Sequence, residues 1–498
     1  MVWCPRMKRR QDVLHVLGDR SHQAPEAREA RNARNGLALS WSGRTWRPDE
    51  VVESPRAPLS GSPRVLEITG DGSHRLVHGE ALSFARALAS EGFAGKVDLV
   101  YVDPPYASAR DYVAEARLDG SADGRVTRTP AYEDTWAARD GGLGAYLDML
   151  APSIEALVKL LSPKGTIWVH LDWRAAYLVR VVLDEIMGRD AFKNEIVWRR
   201  APNLGRQAAS GQFGRTLDTI VVYGNEKATL TPPTRLEPIE PSAIRWDEEK
   251  RPFTSAPRGD YTDASIAKLD KQGRVHRTST GKVYIKYFLV KNEDGVLCRE
   301  RRVDALWTDV APLRHAVVSE RTGYPTQKPR ALLERIIQSA TSPGSIVVDA
   351  FSGSGTTGVA AHATGRRAFL ADQSMVAIAT SRARMLREGA GLCIERSQDM
   401  APPSPSPLRV KIETSSKAKG NGKPKVTTVK LLEPKEPLAW AVGFEELGVF
   451  RCAWHSERVP GRKPVIAASE ASVDGGKDLV VRVWSDDGGV TTSEEIRS

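Results

Sequence analysis

The chain has 498 residues, a length that predicts roughly three domains and a sizeable buried core. Hydrophobic residues make up 41% of the chain and charged residues 27%, which excludes wholesale disorder, and no apolar run is long enough for a membrane-spanning helix. The excess of 72 basic over 62 acidic residues gives a net charge of +10, which suits a polyanionic partner.

The beginning of the chain lacks the apolar segment of a secretory signal. Its four cysteines, Cys4, Cys298, Cys393 and Cys452, are widely spaced and form no Cys-x-x-Cys pair. Neither a disulfide framework nor a metal site is therefore expected, and reduced thiols make the cytoplasm the expected location. Residues 1–62 are rich in Arg, Pro, Ser and Ala without sustained periodicity, which predicts a mobile or loosely docked extension.

Residues 63–224 predict strands that alternate with helices. The predicted strands cover residues 75–79, 97–102, 165–170, 195–198 and 219–223, and the predicted helices cover residues 81–89, 146–161 and 175–187. The strand over residues 97–102 is a short β-branched run of the kind that parallel sheets bury on both faces. It is followed at once by two consecutive prolines, Pro104 and Pro105, which stop a strand.

Residues 225–320 have a different character, because they are first rich in proline and then combine short polar and aromatic stretches without long helices. This composition predicts an inserted, irregular or β-rich module. Alternation resumes over residues 321–398. The predicted elements there are a helix over 329–340, a strand over 345–349, a helix ending near 363 and a strand over 368–372. Such alternation predicts an α/β fold with a doubly wound, mostly parallel sheet.

Residues 399–430 have the composition of a Pro- and Lys-rich linker, and residues 431–498 that of a small β-rich domain. Basic residues dominate positions 406–430, where Glu413 is the one acidic residue. The segment is therefore either a soluble spacer or a stretch of chain that rests on nucleic-acid phosphates.

A glycine-rich turn separates a predicted strand from a predicted helix, with Gly353, Gly355 and Gly358 in a Gly-x-Gly-x-x-Gly pattern. Glycines let the backbone approach a ligand closely and leave amide groups free at a helix N-terminus. Asp372 ends the next predicted strand, where an acidic side chain can hold ribose hydroxyls. The pattern indicates an adenosine-containing cofactor and leaves open a nicotinamide dinucleotide or S-adenosylmethionine. A glycine turn that only packs a helix on a sheet is the alternative.

The motif Asp103-Pro104-Pro105-Tyr106 directly follows the predicted strand over residues 97–102, at the carboxyl end where α/β sheets place ligands. Its two prolines fix the backbone and remove two amide donors, which leaves a rigid segment with free hydrogen-bond acceptors. The Asp103 carboxylate and the Pro104 carbonyl can accept both hydrogens of an exocyclic nucleobase amine, and Tyr106 can stack on a flipped base. The motif therefore favours methyl transfer to a base amine. A strand terminator with an incidental Asp and Tyr is the alternative.

These motifs together resemble the amino-methylating DNA methyltransferases of the β class, which orders a catalytic, a target-recognition and a cofactor region. That class includes type III modification subunits and solitary methylases. The resemblance covers residues 70–395 and rests on residues 103–106, 324–329 (Tyr-Pro-Thr-Gln-Lys-Pro) and 349–357, with residues 169–172 also matching a family segment.

The resemblance implies a site-specific DNA methyltransferase that moves a methyl group from S-adenosylmethionine to the N6 amine of a flipped adenine in double-stranded DNA. The residues that it implies for catalysis and base binding are Asp103, Pro104, Pro105 and Tyr106. The residues that it implies for cofactor binding are Asp349, Phe351, Gly353, Gly355 and Asp372, with Thr326 and Lys328 near the methionine end. Thr326 and Lys328 also precede a predicted helix, so helix capping is the alternative role for that pair.

The chain departs from the family pattern at two positions. Ala107 stands where the family commonly has Asn after the catalytic Tyr, and Ala350 stands where it commonly has Pro. Neither change removes a group that the chemistry needs, although both bear on the shape of the pocket. An Asp at the first catalytic position favours adenine, whereas cytosine-N4 enzymes more often carry Ser there, so cytosine-N4 methylation is the first alternative.

Two further alternatives belong to other classes of protein. A nicotinamide-dependent oxidoreductase would use the glycine turn but would leave Asp103 and Tyr106 unexplained. A nucleic-acid-binding protein with a degenerate cofactor pocket would not need that acid and that aromatic ring. Because the chain has no Gly-x4-Gly-Lys-Ser/Thr loop, any restriction or defence subunit would be a separate protein. A basic loop over residues 198–206, together with Arg215, either tracks phosphates or is a solvated surface loop.

Overall fold

The architecture comes from a computed structural model. The structure describes residues 40–41, 44–47, 63–108, 110–117, 126–135, 142–201, 211, 213–398, 400, 412–417, 426–434, 437–458, 468, 470–474, 478–485 and 489–493. Most of the predicted N-terminal extension and much of the predicted linker lie outside these ranges. No helix within them is long and apolar enough to cross a membrane.

The elements follow the chain in four groups. Residues 63–224 contain strands β1 (Arg64–Thr69), β2 (His74–His78), β3 (Val97–Val102), β4 (Arg110–Arg117), β5 (Val126–Asp134), β6 (Leu161–Leu171), β7 (Phe192–Arg199) and β8 (Leu217–Gly224), with helices α1 (Ala81–Leu88), α2 (Gly142–Val158) and α3 (Ala176–Met187). The insert contains β9 (Thr234–Pro238), β10 (Arg245–Trp246), β11 (Pro252–Pro257), α4 (Asp263–Lys271), β12 (Val275–Arg277), β13 (Val283–Lys291), β14 (Leu297–Arg302) and β15 (Leu306–Trp307).

The second half of the chain contains the other two groups. Residues 321–398 contain α5 (Arg330–Ala340), β16 (Ile346–Asp349), α6 (Thr356–Ala363), β17 (Arg367–Asp372), α7 (Met375–Arg387) and β18 (Leu392–Arg396). The C-terminal part contains β19 (Ile412–Lys417), β20 (Val426–Leu431), β21 (Ala439–Glu446), β22 (Val449–Glu457), β23 (Glu470–Asp474), β24 (Val480–Trp484) and β25 (Val490–Thr492).

One large sheet crosses the whole molecule, in the order β15-β7-β8-β6-β3-β16-β17-β2-β18-β1-β22-β21-β24-β25. Its central strands, from β6 to β18, pair in parallel, whereas β8 runs antiparallel to both β6 and β7. Strands β3 and β16 come from distant parts of the chain yet lie side by side, with Asp349 opposite Tyr101. The predicted doubly wound, mostly parallel α/β sheet is therefore confirmed.

The central strands of the sheet, such as β3, β16 and β17, are buried on both faces and are nearly continuous apolar runs. Helices α1, α2 and α3 cover one face, where residues such as Val100 and Val348 form the core. Helices α5, α6 and α7 cover the other face, where Leu99 and Val347 point. The alternation of neighbouring residues between the two cores is the two-residue period of a strand.

The hairpin of β4 and β5 lies across the boundary between the two halves of the methyltransferase region. Its strands are antiparallel, and it packs Ala114 and Ala131 against Tyr324 and Ala377 of the second half. The sequence pattern predicted no element here.

The insert forms a second, smaller sheet in the order β10-β11-β13-β14-β9, with β12 paired to β13. Its last strand, β15, returns to the large sheet and pairs in parallel with β7. Arg335 of α5 forms a bidentate ion pair with Asp309 just beyond β15, at 2.7 and 2.9 Å. The insert is thus β-rich, as its composition indicates, and is attached at both ends to the methyltransferase region.

The C-terminal strands extend the large sheet, because β22 pairs in parallel with β1. A buried ion triad fixes this junction, in which Arg382 of α7 donates to Glu67 of β1 at 2.6 Å and to Glu457 of β22 at 2.8 Å. All three side chains are at most 4% exposed, so each charge depends on the others. The sequence predicts a small β-rich domain over residues 431–498, and strands β21, β22, β24 and β25 of that region continue the main sheet.

Part of the predicted linker is regular structure. Strands β19 and β20 lie within or at the end of residues 399–430 and pair with each other, and β20 also pairs with β23. The abundance of Pro, Lys and Gly around these strands obscured two short alternating runs. Apart from Met400, the remaining residues of the segment lie outside the described ranges.

The described part of the N-terminal stretch packs against α2 and α3. The Trp46 indole is buried and donates to Glu155 at 3.1 Å, while the Trp46 backbone amide donates to Asp148 at 2.9 Å. Arg44 pairs with Glu185 at 2.7 Å. These described residues are docked, which is one of the two arrangements, mobile or loosely docked, that the composition of residues 1–62 predicts.

Candidate active site

A cavity of about 830 Å³ opens at the carboxyl ends of β3 and β16. Both halves of the methyltransferase region line it. The predicted site residues among the lining are Asp103, Pro104, Pro105, Tyr106, Thr326, Lys328, Asp349, Phe351, Gly353 and Asp372. Gly355, the remaining predicted residue, lies just beyond in the turn. The parallel pairing of β3 with β16 brings these residues together, because both strands end at the same edge of the sheet.

The glycine turn follows β16 and begins α6. Gly353 has a φ of +48°, and an added Cβ would lie 3.2 Å from the ring of Tyr324. Gly355 has a φ of +75°, and an added Cβ would lie 2.8 Å from the Cα of Ser381 in α7. A side chain would strain the backbone at both positions, and at Gly355 it would also collide with Ser381.

Two carboxylates hold this turn, of which Asp349 is buried and Asp372 is partly buried. Asp349 accepts hydrogen bonds from the Phe351 amide at 2.9 Å and from the Thr357 hydroxyl at 2.5 Å. Asp372 accepts from the amide of Gly353 at 2.8 Å and from that of Ser374 at 2.9 Å. Burial raises the pKa of Asp349 to about 7 and that of Asp372 to about 6, although these hydrogen bonds oppose the shift.

Asp103 lies directly after β3 and is held on both carboxylate oxygens. Its Oδ1 accepts from the Tyr106 hydroxyl at 2.7 Å, and its Oδ2 accepts from the Lys328 ammonium at 2.5 Å. Burial and the nearby Asp103 charge raise the pKa of Tyr106 well above its ordinary value, so its hydroxyl stays protonated and donates. The Lys328–Asp103 ion pair joins the cofactor half of the chain to the catalytic half.

The loop that carries Thr326 and Lys328 is tightly constrained. Thr326 has a φ of +56°, which is rare outside glycine, and its hydroxyl lies 3.0 Å from that of Tyr132 on β5. Gln327 is buried and hydrogen-bonds to Thr322 and to the Glu320 carbonyl. Helix α5 begins after this loop with Pro329 as its N-cap. The loop therefore both starts a helix and presents Lys328 to the cavity.

The ring of Tyr106 packs against His170, which belongs to a network of hydrogen-bonded polar side chains. The ring of His170 stacks on that of Tyr106 with centroids 6.2 Å apart and an interplanar angle of 29°. His170 Nδ1 lies 2.9 Å from the Tyr101 hydroxyl, and its Nε2 lies 3.2 Å from Asp218. Arg200 donates to the other oxygen of Asp218 at 2.7 Å. Although burial opposes it, the hydrogen bond and charge of His170 lower the pKa of Asp218.

Asp134, which the sequence pattern did not reveal, holds the backbone of the catalytic loop. Its Oδ2 accepts from the Tyr106 amide at 3.2 Å and from the Ser108 amide at 2.9 Å. Ala107 between them has a φ of +54°, a conformation that an Asn adopts more readily than an Ala. The departure from the family pattern thus falls where the backbone is strained. The sequence contains only a weak signal for Asp134, because this residue ends strand β5, which the sequence pattern did not predict.

Metal ligands are not grouped in this region. Within the described ranges, no three His, Cys, Asp or Glu side chains are arranged to hold a metal ion.

Comparison with protein-family models identifies the family. The N6/N4 family model described as DNA methylase matches residues 97–382, which is more than half of the chain. The chain belongs to the N6/N4 DNA methylase family. The resemblance drawn from residues 103–106, 324–329 and 349–357 is therefore confirmed.

The curated relatives of this chain are distant in sequence. The Type II methyltransferase M.EcaI of Enterobacter cloacae is 25% identical over 316 residues, which cover 57% of this chain and 64% of that protein. The Type III restriction-modification enzyme StyLTI Mod subunit of Salmonella typhimurium is 25% identical over 383 residues, covering 68% of this chain and 57% of that protein. The DNA adenine methyltransferase YhdJ of Escherichia coli is 23% identical over 298 residues, covering 60% of this chain and 78% of that protein. The chain thus spans less than two thirds of the length of M.EcaI and of the StyLTI Mod subunit.

The raised pKa of Asp349 predicts a pH-dependent stability. From the ordinary value of 3.8 to about 7, folded protein keeps the proton while unfolded protein has lost it, so the free energy of unfolding falls as pH rises through this window. We expect Asp349→Asn to remove this contribution, so that its stability relative to wild type increases from about pH 4 to about pH 7. Thermal unfolding across that range measures it.

Asp309→Asn is the matched control. A hydrogen bond from Arg335 lowers the pKa of Asp309, so Asp309 titrates below the window and its substitution should leave the slope unchanged. Equal slopes for wild type and Asp349→Asn would contradict the shift at Asp349.

Proposed function

We propose that the chain is an S-adenosylmethionine-dependent DNA methyltransferase that methylates the N6 amine of adenine in double-stranded DNA. One observation carries this proposal. The loop with Asp103 and Tyr106 and the turn with Gly353 border the same cavity from two adjacent parallel strands. An acceptor-rich catalytic loop is thus placed beside a turn suited to an adenosine cofactor, as the transfer requires.

The amine of adenine is a poor nucleophile, because its lone pair is delocalised into the ring. Asp103 and the Pro104 carbonyl can bind the two amine hydrogens and so turn the lone pair toward the methyl donor. The hydrogen bonds from Tyr106 and Lys328 take two acceptor positions of the Asp103 carboxylate. A carboxylate offers about four such positions, so Asp103 retains capacity for the amine.

The Tyr106 ring provides a stacking surface for a flipped base. The ring lines the cavity, and His170 packs against it. His170 is itself held between Tyr101 and Asp218, and the Trp198 ring meets it edge-on with centroids 5.7 Å apart. A ring fixed in this way loses little freedom when a base stacks on it, and stacking contributes about 1–3 kcal/mol per base.

The residues present fit S-adenosylmethionine, which supplies an electrophilic sulfonium methyl group when bound. Gly353 allows the backbone to approach the ligand, and Asp372 borders the cavity where ribose hydroxyls would be held. The cavity is also rich in carboxylates, which favour a cationic ligand. Among its described lining residues, the acidic ones are Glu80, Asp103, Asp134, Asp148, Asp349 and Asp372, against Lys328 as the one Lys or Arg.

Asp134 is proposed as a positioning residue. Successive backbone amides around a left-handed residue form a small anion-binding concavity, and here the Asp134 carboxylate binds the amides of Tyr106 and Ser108 around Ala107. The Asp134 side chain is 1% exposed, so these charge-assisted bonds act in a low-dielectric setting. These hydrogen bonds hold the backbone of the loop after β3 and so orient the Tyr106 side chain.

The choice of adenine rests on the Asp at position 103, and a relative named as a DNA adenine methyltransferase supports it.

The insert over residues 225–320 is proposed as the target-recognition region. A relative named as a Mod subunit of a restriction-modification enzyme supports a separate partner subunit for this chain. Cytosine-N4 methylation is the second candidate, which the same family includes.

Asp103→Ala should strongly reduce methyl transfer while sparing cofactor binding. Purified protein is incubated with unmethylated genomic DNA and labelled S-adenosylmethionine, and the nucleosides are then analysed by mass spectrometry. We expect N6-methyladenine from wild type and a loss of about 10²–10³-fold in turnover for Asp103→Ala, because an aligned charged acceptor is removed.

Asp111→Ala is the control for this variant, because Asp111 is an exposed carboxylate on β4 of the nearby hairpin. It should leave turnover unchanged. N4-methylcytosine as the product would move the proposal to the second candidate. Wild-type turnover in Asp103→Ala would refute the assigned role.

Asp372→Ala should weaken S-adenosylmethionine binding by about 1.5–3 kcal/mol, because hydrogen bonds to a charged acceptor are removed. Isothermal titration calorimetry measures the affinity. Asp98→Ala is the control, since Asp98 lies near the amino end of β3, at the opposite edge of the sheet. Unchanged affinity in Asp372→Ala would contradict the role of Asp372 in holding the ribose hydroxyls. Tight binding of NAD would favour an oxidoreductase.

Asp134→Ala should lower kcat about 100-fold, because a misplaced Tyr106 no longer stacks the base in the reactive position. Asp134→Asn should recover most of this loss, since a single oxygen accepts both amides. Cofactor affinity should stay within a few-fold in both variants. An Asn variant as slow as the Ala variant, or an Ala variant with wild-type kcat, would argue against positioning by this oxygen.

A further inference from the structure

A set of arginines and exposed aromatic rings continues the sheet edge beyond the catalytic loop. We define the arginine–aromatic surface as Trp173, Arg174, Tyr177, Arg199, Arg200 and Arg215. Its members lie at the end of β6, the start of α3, the end of β7 and the residues before β8. The register pairs Leu171 with Thr219 and Arg199 with Leu217, so these positions share one edge of the sheet. The neighbouring strand on this edge is β3, which leads directly into Asp103.

The aromatic rings of this surface are unusually exposed. Trp173 is 45% exposed and Tyr177 is 70% exposed, although each ring is large and apolar. The guanidinium of Arg215 lies 4.1 Å from the centroid of the Trp173 ring, and that of Arg174 lies 4.9 Å from it. Exposed aromatic rings combined with arginines are typical of binding surfaces rather than of solvated ones.

The charge of the surface is positive. Two acidic groups face it: Asp172 pairs with Arg174, and the buried Asp218 pairs with Arg200. Arg199 and Arg215 also belong to the surface, which therefore holds four arginines among its described members. Guanidinium groups present several donors in a planar fork that matches phosphate oxygens, so the chemistry favours a phosphodiester backbone.

The surface is also connected to the catalytic loop. Arg200 donates to Asp218, Asp218 contacts His170, and the ring of His170 stacks on Tyr106. A backbone bound at this surface would therefore lie beside the ring that receives the flipped base. Flipping costs a few kcal/mol and needs the flanking strand to be held while the base leaves the stack.

We propose that the arginine–aromatic surface binds the sugar-phosphate backbone of duplex DNA next to the target base. The proposal rests on the proposed DNA methyl transfer and adds the surface through which the flanking strand is held. Arg199 and Arg215 contact phosphates, while Trp173 and Tyr177 contact the deoxyribose rings.

The test removes two positive charges from the surface without altering the cavity. Binding of the full chain to a short fluorescein-labelled DNA duplex of mixed sequence is followed by anisotropy between about 50 and 200 mM salt. The double variant Arg199→Gln with Arg215→Gln should bind about 10–100-fold more weakly at about 0.1 M salt, and its salt slope should flatten by about 0.9 for each phosphate that is no longer neutralised. The double Lys variant should retain most of the slope, because the charge remains.

Arg189→Gln is the matched control, since Arg189 is an exposed arginine of the same half that precedes β7 at the opposite edge of the sheet. It should bind DNA like wild type. A double Gln variant with the affinity and slope of Arg189→Gln would overturn the proposal.

The DNA-binding result and the methyl-transfer result can be distinguished from each other. If wild type transfers methyl groups to DNA and the double Gln variant binds like Arg189→Gln, only the surface is wrong. If wild type transfers none, the proposed function fails first. S-adenosylmethionine affinity, measured in every variant, should remain at the wild-type value and so reports an intact fold.

Discussion

The parallel pairing of β3 with β16 is the constraint on which the site depends. These strands belong to different halves of the chain, and the insert separates the halves in sequence. From β3 the sheet continues through β6 on one side, and from β16 it continues through β17 on the other. The strand order therefore reverses between them, and the loops that follow diverge and leave a crevice. The cavity lies in that crevice.

Contacts across the crevice make the site a product of both halves. Lys328 reaches Asp103, and Thr326 lies beside Tyr132 at the end of the β4–β5 hairpin. The same strand then supplies Asp134 to the catalytic loop. A shift of the hairpin would move the catalytic loop and the Lys328 loop together. The relative position of acid, aromatic ring and cofactor turn is thus fixed in part by hairpin side chains that none of the three sequence motifs contains.

The sequence predicted the elements whose signals are local. Strand β3 was predicted with its observed bounds, and β16 and β17 to within one residue, because each is a short β-branched or apolar run ended by Pro, Gly or Asp. The site motifs were found for the same reason, since they follow those strands directly. Their convergence on one cavity is consistent with the predicted roles, which experiments on Asp103 and Asp372 address.

The rest depended on contacts between distant residues. Asp134 acts on the backbone of Tyr106 and Ser108, and no local pattern marks an aspartate as the partner of a remote loop. The attachment of β22 to β1 needs a buried triad whose members are widely separated in sequence. Composition does not reveal which charged residues are buried, because the sequence alone does not show which residue lies close enough to supply the opposite charge.

The edge of the sheet also separates opposite charges in space, and this follows from the two ligands that the proposed reaction brings together. A sulfonium cofactor is cationic, so carboxylates that line the cavity, such as Asp372 and Asp103, would favour its binding there. DNA is a polyanion, and the same carboxylates repel it. A base can enter such a cavity only if its phosphates stay outside, held by positive charge nearby. In the proposed reaction, the ordering along the edge, from Asp372 through Asp103 to Arg199 and Arg215, would meet both requirements, because an uncharged base ring would reach the acids while the backbone would remain with the arginines.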